Sequence, residues 1–159
     1  MADFAAIAGI LGAMTGIVAL VISIKSYLLV AAMKAIDMRL ELEKAFINLD
    51  LVTSGIDGYL DFVHQSHTRV FAATGLNQSG AMKLFEEDFA KDKARLRGLL
   101  GSQPRRKSSY DGHSPRDLEN LLVEVHALHV QIAAIREKYQ KLFESDEERR
   151  AEIRAAHQP

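Results

Sequence analysis

The sequence predicts an all-α protein: a single N-terminal transmembrane helix followed by an antiparallel three-helix, coiled-coil-like bundle. Three observations point there. Phe4 to Ile24 contains no charged residue. The prolines fall only at Pro104, Pro115 and Pro159, outside every long periodic stretch. From Met38 onward the apolar residues step by three and four, the spacing of one helix face.

The uncharged run forms a helix about 32 Å long at ~1.5 Å per residue, enough for the ~30 Å hydrocarbon core of a bilayer. Its leading residues, Met1-Ala2-Asp3, lack the basic charge of a secretory signal. Apart from Lys25, the apolar stretch continues through Tyr27 to Met33, so a retained anchor is expected rather than a cleaved leader. Lys25 can extend its amine to the headgroups, and Tyr27 suits a membrane interface. Lys25, Lys34, Arg39 and Lys44 all lie on the C-terminal side. The positive-inside rule therefore puts the N-terminus outside and the body in the cytoplasm. A buried core helix of a soluble bundle is the weaker reading, because so long an uncharged run exceeds what small soluble domains usually bury.

The division is residues 1–33 as anchor and 34–159 as a cytoplasmic helical bundle. Charge follows the same line: residues 1–33 carry only Asp3 and Lys25, and every other charged residue lies beyond them. The net charge of -1 excludes a global attraction to nucleic acid. Cysteine is absent, which excludes disulfides, thiol nucleophiles and thiolate metal sites.

Within the body, Met38, Leu42, Ala45, Leu49, Val52, Ile56, Tyr59, Val63, Ser66, Val70 and Ala73 make a heptad seam on a helix over about 34–74. Gly55 and Gly58 each cost about 1 kcal/mol there, so a kink or break is expected at Thr53-Ser54-Gly55. Gly75 suits a C-terminal cap and Asn77 a new start. The second body helix, about 78–100, presents Met82, Phe85, Phe89, Leu96 and Leu99. Residues 101–114 form a basic loop. Ser114-Pro115-Arg116-Asp117 then starts a third helix, about 115–155, with the seam Leu118, Leu121, Val125, Leu128, Ile132, Ile135, Tyr139 and Leu142. Beyond Phe143 the apolar stripe stops, and a charged extension or frayed tail is expected. The lengths suggest a coiled-coil hairpin of the first and third body helices with the shorter second laid along it.

Four groups of residues are candidates for function. Ala8, Gly9, Gly12 and Gly16 form a small-residue face with a GxxxG motif, which lets two helix backbones approach closely in lipid. Lys25 and Tyr27 mark the membrane interface. Arg105, Arg106 and Lys107 could contact anionic lipid at about 1 kcal/mol per charge, a contact that phosphorylation of Ser108 or Ser109 would oppose. His64 and His67, and His126 and His129, are two pairs at helical spacing that would offer four imidazoles if their levels met. They flank the seams, where solvated side chains are the norm, and Glu-x-x-His motifs are absent, so no metal or other cofactor is expected.

No phosphate loop, nucleophile elbow or zinc-protease motif occurs, and a non-enzyme is expected. The leading reading is a membrane-anchored scaffold or interaction protein that self-assembles through the GxxxG face and its coiled-coil helices. Its partners would be the lipid bilayer, copies of itself and a protein held by the bundle, and not nucleic acid. The alternative is a membrane-perturbing effector whose N-terminal helix is held by the body and then released to oligomerise as a pore. In architecture alone that resembles cell-death and phage-lysis proteins.

Overall fold

The computed structural model describes residues 2–107, 109–110 and 112–156, with side chains from residue 15 onward. The described residues are helical apart from turns and one loop, and no strand occurs among them. Four helices follow in order: α1 (Ala2–Thr53), α2 (Ile56–Ala73), α3 (Gly80–Gly101) and α4 (Pro115–Ala156).

α1 and α2 read as one long, bent helix. The break falls at Ser54-Gly55, where Gly55 takes a left-handed φ of 71° that a side chain would strain. The turn is held on both sides. The Ser54 N–H donates to the Asp50 carbonyl at 2.9 Å, and the Tyr59 N–H donates to that of Gly55 at 2.9 Å.

α2 closes with a Schellman motif about Gly75 (φ 73°): the Leu76 N–H reaches the Phe71 carbonyl and the Gly75 N–H that of Ala72. Ser79, rather than Asn77, caps α3, its hydroxyl accepting the Met82 N–H at 3.2 Å. At the start of α4, Ser114 and Asp117 cap each other. The Ser114 Oγ accepts the Asp117 N–H at 3.2 Å, while the Asp117 carboxylate accepts the Ser114 N–H at 3.2 Å and its hydroxyl at 2.7 Å. Those hydrogen bonds from Ser114 hold the Asp117 carboxyl below its ordinary range.

Contacts between helices fix their directions. Phe62 packs on Phe143 and His67 bonds Asp146, so residue numbers rise together along α2 and α4. His64 meets Phe89 and Asp61 meets Lys93, so numbers fall along α3 as they rise along α2. The bundle therefore runs up, down and up. α3 is antiparallel to both neighbours, whereas α4 runs parallel to α1 and α2. The direction of the third body helix, which its apolar seam leaves open, is thus parallel to the first, so the two do not form a hairpin.

The core lies at the C-terminal end of α1 and along α2–α4. Leu42, Phe46, Leu49, Leu60, Val63, Leu96, Leu118, Val125, Ile132 and Tyr139 are buried in it. The loop before α4 joins this core through Tyr110, which stacks on Phe46 and accepts the Lys107 N–H with its hydroxyl at 3.1 Å.

Candidate membrane and assembly surface

Before the core begins, α1 stands alone. Between Thr15 and Ile36 every large apolar side chain is more than half exposed, including Ile17, Leu20, Ile22, Ile24, Leu28, Val30 and Met33. They occupy the whole circumference of the helix, not one stripe. An amphipathic helix would hide one face against the body, and none is hidden here. Burying an aliphatic side chain is worth about 1.5–3 kcal/mol, so this segment exposes hydrophobic free energy comparable with the ~5–15 kcal/mol stability of a whole domain. The stretch Thr15–Ala73 is long and apolar enough to cross a membrane, with mean hydropathy 2.1 in its most apolar window and 0% of that window buried. α4 also passes by length and composition, but its window has hydropathy 1.2 and is 28% buried in the bundle.

Of the small-residue face, Ala8, Gly9 and Gly12 lie outside the residues whose side chains are described. A Cβ added to Gly16 would meet nothing within 4 Å, so the fold of this chain does not require a glycine there. Lys25 and Tyr27 are exposed on the lone segment, Tyr27 by 74%.

The basic loop turns toward the body. Arg106 pairs with Glu43 and lies 3.8 Å from Asp50, while the Lys107 amine is 3.1 Å from Nε2 of His113. Glu43 lies roughly 24 Å beyond Tyr27 at ~1.5 Å per residue, more than the ~8–10 Å over which salt leaves a charge effective. Arg105 is exposed and forms no ion pair among the described residues.

The histidine pairs do not meet. His64 and His67 sit level with Phe143 and Asp146. His126 and His129 lie about 26 Å lower on α4, counting ~1.5 Å per residue from His129 to Asp146. Among the described residues no group of three metal-type ligands converges.

His67 is nevertheless no solvated flank residue. It is 6% exposed and Asp146 1%, and Nδ1 of His67 lies 2.8 Å from one carboxylate oxygen and 3.0 Å from the other. Phe71 and Phe85 cover the imidazole. One turn on, the Arg150 guanidinium donates to the Ser66 hydroxyl at 2.6 Å and carbonyl at 3.0 Å, and pairs with Glu147. His64, half-buried, bonds Glu86 at 2.9 Å. The end of the bundle farther from the lone part of α1 thus adds a buried polar pair to its apolar packing. Asp146 falls at the heptad step after Leu142, so the period of α4 continued past Phe143 in polar letters. That continued period was the signal to follow.

A second polar contact lies lower in the bundle. The Tyr139 hydroxyl donates to Asp92 at 3.1 Å, and Asp92 accepts from Lys138 at 2.6 Å. Burial first, then the neighbouring Asp92 charge, raises the Tyr139 phenol well above its usual range.

Compared with known proteins, the chain matches no family model, no curated protein and no solved structure. The geometry alone carries the functional reading.

Proposed function

We propose that this chain is a single-span membrane protein whose helical body works as a scaffold or interaction module and self-assembles, without catalysing a reaction. One observation supports this above the others: α1 from Thr15 to Ile36 exposes apolar side chains on all sides and packs against none of the described residues of the body. Water is a poor solvent for such a helix and lipid a good one. The basic residues Lys25, Lys34, Arg39 and Lys44 then set the body in the cytoplasm by the positive-inside rule. Because a Cβ at Gly16 would meet nothing within 4 Å among the described residues, its small size is free to serve close packing with another helix in the bilayer. The heptad seams are the coiled-coil element of the reading, and the body surface is where a protein partner would sit.

The test is alkaline carbonate extraction of membranes from cells making the full chain, with protease added to intact and opened vesicles. The chain stays in the membrane pellet, and the body is cut only from the cytoplasmic side. Recovery in the supernatant would contradict the anchoring.

The pore-forming alternative needs the N-terminal helix stowed against the body before its release. The described part of α1 is not stowed, which favours the scaffold reading. Expression should leave the membrane potential of the host unchanged, and a depolarisation relieved by Gly16→Leu would favour the effector instead.

A further inference from the structure

Two stripes of exposed apolar residues remain on the body after its core is formed. On α1 they are Leu40, Ile47 and Leu51, exposed by 44–66%. These lie across the helix from the buried Leu42, Phe46 and Leu49, and so face away from α4. On α4 they are Val123 and Val130, each 64% exposed, with the exposed Ala127 between them. They lie across that helix from the buried Val125, Leu128 and Ile132. Both stripes follow helical spacing, and neither is covered by the described residues.

Their heights agree. Partners on α2 and α4 are 79 to 84 residues apart (His67–Asp146, Phe62–Phe143 and Ser66–Arg150), and α1–α2 runs parallel to α4. Those offsets set Leu51 within about one and a half turns of Val130, and Ile47 closer. The two stripes are therefore at one height on opposite sides of the molecule. Charges beside them are ordered in reverse. Asp37 lies below Lys44 on α1, and Arg116 lies below Glu119 on α4, with Asp37 and Arg116 at similar height by the same offsets. All four are exposed, and none forms an ion pair within the chain among the described residues.

We propose that copies anchored in one membrane pack side by side, the α1 stripe of one against the α4 stripe of the next. This rests on the anchoring reading above, because a shared membrane plane holds every copy upright and at equal height. The contact is heterologous, joining two different surfaces. Since the surfaces face opposite ways, repetition extends a row or a large ring and does not stop at a dimer. Parallel helices meeting through an apolar stripe with opposite charges at its flanks follow the logic of a coiled-coil seam. A few aliphatic side chains bury far less than the ~1,600 Å² of a standard interface. Tethering compensates, since confinement gives short-linked sites an effective concentration of about millimolar.

The absence of cysteine makes the test direct. Leu51→Cys and Val130→Cys are made singly and together in the full chain, and membranes are oxidised with copper phenanthroline. The expected result is a ladder of trimers and longer species from the double variant. Coexpressed single variants give dimers, and each single variant alone gives few or none. Asp37→Arg reduces the double-variant ladder several-fold, and adding Arg116→Asp restores it. Strong dimers from either single variant alone would show like surfaces meeting and would overturn the inference, as would the absence of a ladder. Carbonate extraction of the same membranes separates the two failures: a chain that stays in the pellet but forms no ladder refutes only the side-by-side packing. A chain released to the supernatant loses the shared plane, and both readings fall.

Discussion

From Ile17 to Ile36 large apolar side chains lie on every side of α1 and are exposed, whereas from Leu42 to Leu49, on the same helix, the buried residues keep to one face. The backbone is α-helical in both. What differs is how apolar residues are spread around the axis, and that spread specifies the surroundings. A full circumference calls for lipid or other helices, while a single stripe calls for one packed neighbour. The near half would gain by leaving water; the far half has already done so, against α4.

Mutations should separate the halves sharply. Phe46→Ala removes a ring that is 1% exposed and stacked on Tyr110, and should cost about 3–5 kcal/mol in denaturant unfolding of the full chain in detergent. Ile22→Ala, in the lone segment, should leave the same transition within about 0.5 kcal/mol of wild type. Equal losses at both positions would mean that the near half of α1 packs on the body after all.

A second contrast lies within the bundle, between its apolar core and the buried His67–Asp146 pair beyond it. Asp146→Ala leaves the buried His67 without its partner and should destabilise by about 1–3 kcal/mol. The pair of changes His67→Leu and Asp146→Leu should recover much of that loss, because an apolar pair of similar volume avoids the desolvation cost. A double-mutant cycle with no coupling would show the two residues to be independent.

Tyr139 gives a pH prediction. Its phenol loses its proton at higher pH in the folded chain than in the unfolded one, so the unfolded state ionises first as pH rises. Stability should fall above about pH 10, by up to about 1.4 kcal/mol per pH unit, and Tyr139→Phe should remove that component. An alkaline slope unchanged in Tyr139→Phe would contradict the buried phenol. The smallest effect is expected at the start of α4, where Ser114→Ala should cost about 1 kcal/mol. The same change should let the Asp117 carboxyl titrate in its ordinary range, as followed by NMR.

Much of this was legible in the letters because spacing and charge report a helix and its solvent directly. The uncharged run, the break at Gly55, the seam of α4 and the Ser114 start are local facts that local sequence encodes. The direction of α4 was less legible, since an apolar seam reads the same from either end. The His67–Asp146 pair was hidden for a different reason: a histidine beside a seam and an aspartate beyond the last apolar step both look solvated. Only tertiary packing under Phe71 and Phe85 buries them. Tyr110 has no periodic neighbours to mark it as core, yet from its loop it lies against Phe46.

The account turns on the lone half of α1 lying in lipid. Single cysteines at Leu20, Ile22 and Ile24, and at Asn48 on the same helix, can be probed in opened membrane vesicles with a membrane-impermeant maleimide. The expected result is that the cysteine at position 48 is labelled readily, while those at 20, 22 and 24 label only after detergent is added. Equal labelling at all four positions before detergent would contradict it.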